Sequence, residues 1–239
     1  MDERLTMENV VKHIRFPFTF DVVKLQQEVQ TILAQKWINH YNTNDYEGEW
    51  ASIALLSQGG KSENINALNI GNEKVSYTEI TLSCIYLKEL IDSFLFEKTT
   101  VRLLRLAAGA YIKPHTDHCL GYEDGVFRIH IPVITNPNVE FILDEERLIM
   151  KEGECWYIDA NFTHSVANKG KKDRIHLVID GIRNEWTDTL FFNEANPKQF
   201  IKPEPQLSLA EKKLLIAQLK TIQTPIAEEL IKKIKKEIE

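Results

Sequence analysis

Two stretches of the chain, VFRIHIPVI (126–134) and RIHLVID (174–180), carry the same alternation, and this repeat limits the fold more than any other feature. In the first, Phe127, Ile129, Ile131 and Val133 share one face, while Arg128 and His130 share the other. In the second, Ile175, Leu177 and Ile179 lie opposite Arg174 and His176. Successive side chains of a strand point to opposite faces. Both stretches therefore predict strands with one apolar face and one Arg-x-His face, the latter turned to an interior if the sheet belongs to a barrel. Residues 100–180 otherwise read as short strands separated by turns, including NPN at 136–138 and KEGE at 151–154, which suggests a sandwich or barrel.

The chemistry such an interior could hold is in KPHTDH (113–118) and ANFTHSV (160–166). His115, Asp117 and His164 offer two imidazoles and one carboxylate, the donor set of a non-haem Fe(II) facial triad with open positions for co-substrate and O₂. If 112–117 ends a strand, His115 and Asp117 lie on one face, and His164 has to come from a neighbouring strand. Arg174 follows His164 by ten residues. A guanidinium matches a carboxylate as a planar fork, so Arg174 is the first choice for the far carboxylate of 2-oxoglutarate. With an internal metal site, the expected fold is a mainly β double-stranded β-helix, a cupin-like jelly roll.

His-x-Asp alone is a weak motif. The later histidine, the arginine ten residues on and the Arg-x-His strands together make chance a poor explanation. HTDH also superficially resembles the H-x-H-x-D-H string of zinc hydrolases, but Lys113 stands where the first histidine of that string would fall. A jelly-roll binding module without chemistry is a further alternative, against which the intact triad argues. Of the seven histidines, His13 and His40 have no motif context and read as bystanders. His118 reads as surface or neighbouring support, and His176 shares the Arg174 face. Arg102 and Arg105 lie on opposite faces of one strand, so at most one lines the interior.

The segment 101–181 resembles the aspartyl/asparaginyl β-hydroxylase-like Fe(II)/2-oxoglutarate dioxygenases, through VRLLRLAAGAYIKPHTD, FRIHIPV and GECWYIDANFTHSVANKGKKDRIHLVIDG. It is most similar to the bacterial branch that includes L-proline cis-4-hydroxylases. The resemblance implies Fe(II) on His115, Asp117 and His164, 2-oxoglutarate on Arg174, and His130 and Arg128 near the iron-proximal carboxylate or the substrate. It also implies hydroxylation of an unactivated C–H of an amino acid, free or N-substituted, with succinate and CO₂ as co-products. A residue within a peptide is the alternative substrate. Ascorbate is the expected in vitro support. Vertebrate members carry Gly at the position of Asp117, so the carboxylate favours the bacterial branch. Trp50 looks like a pocket-lining tryptophan of the family, with His176 and Arg128 as further candidates for substrate contact.

With 239 residues there is room for one large core and a small appendage, expected at 1–204 and 205–239. A net charge of −6 without a basic patch argues against nucleic acid. No apolar run approaches the ~20 residues a membrane helix needs, and MDERLTMENV lacks the apolar region of a signal peptide. Cys84, Cys119 and Cys155 cannot all pair and fit no zinc spacing, so a reducing cytoplasm is the simpler reading. Cys119 reads as a small filler, with oxidation sensitivity as the alternative.

Residues 1–20 read as an edge strand or extended lead-in, and 51–57 as a strand. Helices are predicted over 21–37 with Asp21 as N-cap, and over 78–94 with Leu82, Ile85 or Tyr86, Leu90 and Phe94 on one stripe. Residues 58–73 read as a mobile loop able to close over a pocket. Ser208 and Glu211 have capping-box spacing, and Pro225 opens a helix with Ile226, Leu230, Ile234 and Ile238 in register. This helical pair reads as a solvated cap on the barrel or as a homodimer contact.

Overall fold

The computed structural model describes residues 10–67, 72–117, 119–203, 209–222 and 224–236. It divides into two compact units, 1–202 and 203–239. In chain order the first unit carries β1 (His13–Thr19), α1 (Val22–Ile32), β2 (Ile38–Asn39), β3 (Tyr46–Glu47), β4 (Trp50–Gln58), β5 (Val75–Tyr77), α2 (Glu79–Leu82) and α3 (Ile85–Ser93). There follow β6 (Lys98–Leu106), β7 (Tyr111–His115), β8 (Val126–Ile134), β9 (Val139–Leu143), β10 (Glu146–Leu148), β11 (Glu154–Ile158), β12 (His164–Asn168), β13 (Arg174–Ile182) and α4 (Glu185–Glu194).

The strands form two antiparallel sheets, a jelly roll. One has the order β1-β11-β8-β13-β6-β4-β2, with β5 on β4, and the other β10-β9-β12-β7-β3. The alternation seen in the sequence separates two chemistries. Phe127, Ile129, Ile131 and Val133 of β8 and Ile175, Leu177 and Ile179 of β13 join Leu25, Val29, Leu87, Leu90 and Phe191 in one buried cluster, so helices cover that face of the large sheet. A second cluster includes Trp50, Leu106, Ile112, Phe141, Leu143, Trp156 and Val166, residues of both sheets, and fills the space between them. Arg102, Arg128, His130, Arg174, His176 and Asp180 are buried on the positions that alternate with the helix-covered ones.

Several expectations are refined. Asp21 does cap α1, accepting from Lys24 N at 3.1 Å. The single helix expected over 78–94 is two, because the chain is extended at Cys84 (φ −112°, ψ 95°). Glu28 of α1 stabilises the restart: its carboxylate accepts from the Tyr86 and Leu87 amides at 2.8 and 2.7 Å. Leu82 and Ile85 are exposed, whereas Leu90 and Phe94 are buried as expected and Tyr86 packs against the same cluster, with Leu87 and Ile91 beside them. The described part of the 58–73 loop is tied down, with Ala54 N donating to Ser62 O and Ile65 buried. Gly153 has φ +79°, and a Cβ there would meet Phe20 O at 2.7 Å, so the turn before β11 requires glycine.

The second unit pairs α5 (Leu209–Leu219) with α6 (Pro225–Lys236) around Ile216, Leu219, Ala227 and Ile234. Of the expected register, Ile234 is buried, whereas Ile226 is 78% exposed and Leu230 is exposed too; Ala227 and Ile231 pack beside Ile234 instead. A helix that packs on one partner buries only a narrow stripe. Ser208 and Ile238 lie outside the described residues.

Candidate metal and co-substrate site

β7 and β12 are neighbours in the smaller sheet, with His115 directly opposite His164. Their rings lie 4.3 Å apart between centroids. Asp117 sits just beyond the end of β7 rather than on it, and its amide donates to Ala160 O at 2.8 Å. One ligand atom from each of the three residues lies within 4.8 Å of the others. His118 lies outside the described residues.

The two imidazoles are oriented alike. His115 Nδ1 is 2.8 Å from Lys113 O, and His164 Nδ1 is 3.0 Å from Phe162 O. A carbonyl can only accept, so Nδ1 carries a proton and Nε2 is the ring atom left to face a metal. Burial, then the nearby His115, pushes the His164 pKa down to about 4, which keeps it a neutral ligand. Burial raises the Asp117 pKa, but Arg128 and the two histidines outweigh it, and the net shift is down. The three residues offer two imidazole nitrogens and one carboxylate oxygen, the donor set that a divalent iron takes in a facial triad. The residues fit the metal.

The four residues of the two Arg-x-His strands differ sharply in their partners. Arg128 is saturated. Its Nε and Nη2 donate to Asp180 at 2.7 and 3.2 Å, and its Nη1 donates to Asp117 Oδ2 at 2.5 Å. Burial works against its charge, yet Asp180 and Asp117 raise its pKa. Arg174 is 3% exposed and has no carboxylate within ion-pair distance among the described residues. Its Nη2 lies 2.9 Å from His176 Nδ1, and its Nε has no partner. Burial alone pushes its pKa down. A guanidinium stays protonated in proteins, so the group is a buried cation lacking its anion.

Between Arg174 and the triad stand Phe141 and His130. The Phe141 ring is 6.3 Å from His164, 6.0 Å from His130 and 5.8 Å from the Arg174 guanidinium carbon. His130 is buried with both ring nitrogens unpartnered. Burial, then the charges of Arg174 and Arg128, pushes its pKa well down. His176 is neutral for similar reasons, burial first and Arg174 next. Unpaired buried polar atoms are costly. An orphaned cation and an orphaned imidazole along one wall, close to the triad, suit a bound carboxylate-bearing ligand.

Trp50 closes the other side. Its ring is 6.4 Å from His115 and stacks on His40 at 3.7 Å, with Tyr46 edge-on at 5.8 Å. His40, which the sequence offers only as a bystander, is the ring that stacks on this candidate tryptophan. No motif surrounds it, and only the pairing of β2 with β4 brings it to Trp50. Of the two candidate arginines on β6, Arg102 faces the interior and bonds Asp180 at 2.6 Å. Arg105 faces away, over the Trp37 ring and paired to Glu49. Asp180 was missed because its partners come from two other strands. Its only sequence signal is that it shares the face of Arg174 and His176.

The fold and the triad define a jelly-roll metalloenzyme of the oxygenase kind. A solved 2-oxoglutarate–Fe(II) oxygenase family oxidoreductase from Burkholderia pseudomallei shares the fold, with TM-score 0.50 and 12% identity over 72% of this chain and 86% of that one. The chain belongs to the aspartyl/asparaginyl β-hydroxylase family, whose model matches residues 19–184 and so contains every residue of the site. It is similar to L-proline cis-4-hydroxylase of Rhizobium meliloti strain 1021, with 26% identity over 79% of this chain and 68% of the relative. L-proline cis-3-hydroxylase 1 of a Streptomyces species is 26% identical over 70% of this chain, which spans 59% of that relative's length.

Proposed function

We propose that His115, Asp117 and His164 hold Fe(II), that Arg174 anchors the far carboxylate of 2-oxoglutarate, and that His130 faces the co-substrate. The protein is an Fe(II)/2-oxoglutarate-dependent dioxygenase that hydroxylates an unactivated C–H of an amino acid. The observation that carries the co-substrate assignment is Arg174, a buried guanidinium without a carboxylate on the wall next to the triad. Bound iron with 2-oxoglutarate and O₂ supplies the oxidising power, releasing succinate and CO₂. The chain's own residues bind and orient. His115 and His164 present Nε2 because backbone carbonyls hold Nδ1, Arg128 holds Asp117, and Phe141 with Trp50 forms apolar wall that keeps water out. No side chain is needed as general acid or base.

The substrate is a free or N-substituted amino acid, with Trp50 beside it; Arg128 is taken up by Asp117 and Asp180 and His176 by Arg174, so neither serves the substrate directly. The names of the two proline-hydroxylating relatives support this class. Ascorbate sustains turnover in vitro. Residues 1–204 act as the dioxygenase domain and 205–239 as an appendage whose helices pair two copies. The enzyme works in the cytoplasm, in keeping with its free cysteines Cys84, Cys119 and Cys155; no helix among the described residues is long and apolar enough to cross a membrane. The test is incubation with Fe(II), ascorbate and 2-oxoglutarate against a panel of amino acids and short peptides. The expected result is a gain of one oxygen on a free amino acid, with succinate formed in equal amount. Oxidation of peptides alone would overturn the substrate class.

A further inference from the structure

We propose that Asp180 is a positioning residue that holds the carboxylate of Asp117 in place through Arg128, and that through Arg102 it ties the 58–67 loop to the same site. The inference rests on the triad reading above. Asp180 lies on β13 and is 3% exposed. Its Oδ1 accepts from Arg128 Nε, and its Oδ2 accepts from Arg102 Nη2 at 2.6 Å, Thr100 Oγ1 at 3.0 Å and Arg128 Nη2 at 3.2 Å. Burial opposes its charge, but Arg128 and Arg102 hold its pKa down to about 2.

The geometry makes it a hub. A guanidinium is planar, so fixing one edge fixes where the remaining nitrogen points. With Nε and Nη2 on Asp180, Nη1 of Arg128 is aimed at Asp117 Oδ2. That engages Oδ2 and leaves Oδ1 on the histidine side, 3.8 Å from His115 Nε2. Asp117 needs this support because β7 ends at His115, and beyond it the carboxylate has no strand to set its direction. Charge balance points the same way. Two guanidiniums face two carboxylates; without the charge of Asp180, Arg128 would concentrate on Asp117 and compete with the metal for it. The other arm reaches the loop, where Arg102 Nη1 donates to the carbonyl of buried Ile65 at 3.1 Å.

Mn(II) binding by the metal-free full chain tests this without turnover. Wild type and His164→Ala establish the triad reading: equal affinity in the two would overturn that reading and this inference with it. Given a functional triad, Asp180→Asn should weaken Mn(II) about 10- to 100-fold, the usual scale for groups that support metal ligands. Arg128→Lys keeps the charge but loses the fork, and should lose about 10-fold; it serves also if Asp180→Asn does not fold. Arg102→Gln should be cut faster within 58–67 by a limiting protease. Wild-type Mn(II) affinity in Asp180→Asn or in Arg128→Lys overturns the role at Asp117. Unchanged cleavage in Arg102→Gln overturns the tie to the loop.

Discussion

β8 and β13 carry the same Arg-x-His pattern, lie side by side, and use their arginines in opposite ways. The strands are antiparallel, so Arg128 falls opposite Asp180 while Arg174 lies near the other end, next to Ile175, which faces Ile134. The two histidines meet in the middle, His130 and His176 being 5.8 Å apart between ring centroids. One arginine thus has a carboxylate across the ladder and a second from the β7 end. The other has Leu106 as its cross-strand neighbour on β6. Identical local sequence yields a positioning group at one end and an anion-seeking group at the other, because the register decides which cation is already neutralised.

The sharpest break between the two ends should be in stability. Arg128→Ala leaves Asp180 with one guanidinium fewer in a buried setting, which costs about 3–5 kcal/mol. Arg174→Met removes a cation that has no carboxylate and should leave the ligand-free protein unchanged or more stable. Chemical denaturation of both variants without 2-oxoglutarate measures the contrast; equal losses would mean that Arg174 has a partner of its own.

Next in size is the co-substrate. Arg174→Ala should raise the KM for 2-oxoglutarate at least ~100-fold, about 2.7 kcal/mol, with metal affinity little changed. Arg174→Lys should recover part of the loss, since an ammonium cannot form the planar fork. If 2-oxoglutarate binding survives in Arg174→Ala and the amino acid binds poorly, the ligands of the two ends are exchanged.

Acid should act at the Arg128 end. The folded pKa of Asp180, about 2, is depressed below that of an unfolded aspartate, near ~3.9. The stability this gives is fully present above pH ~4 and is lost as pH falls through the folded value, on the order of 2 kcal/mol. Thermal melts between pH 5 and pH 2 should therefore show a steeper loss in wild type than in Asp180→Asn; parallel slopes would contradict it.

The smallest effect is expected at the aromatic wall, which belongs to neither end. Removing the stacked ring in His40→Ala forfeits about 0.5–1.5 kcal/mol of stacking. It should raise the KM for the amino acid several-fold and leave the KM for 2-oxoglutarate alone. A change in the 2-oxoglutarate KM instead would move this wall to the co-substrate side.

Much of this was legible before any fold was known, for one physical reason: strand side chains alternate, so a run such as FRIHIPV announces its apolar and polar faces by counting. The same counting worked for Asp21 as a cap, a contact three residues long. It failed where a distant group intervenes. Glu28 from α1 caps the start of α3, and the helix expected as one piece is two, with Leu82 and Ile85 turned to solvent. It is silent on the placement of His40, which has no motif of its own and takes its place from Trp50.

Residue identity and local period are enough to give the sheet faces, the donor types His115, Asp117 and His164, and two arginines on interior positions. Which arginine is spent and which is available emerges from the folded arrangement. That depends on cross-strand register, on Asp180 meeting Arg128 across one ladder and Arg102 across the other, and a charge is neutralised by what lies within a few ångströms of it, not by what lies near it in the chain.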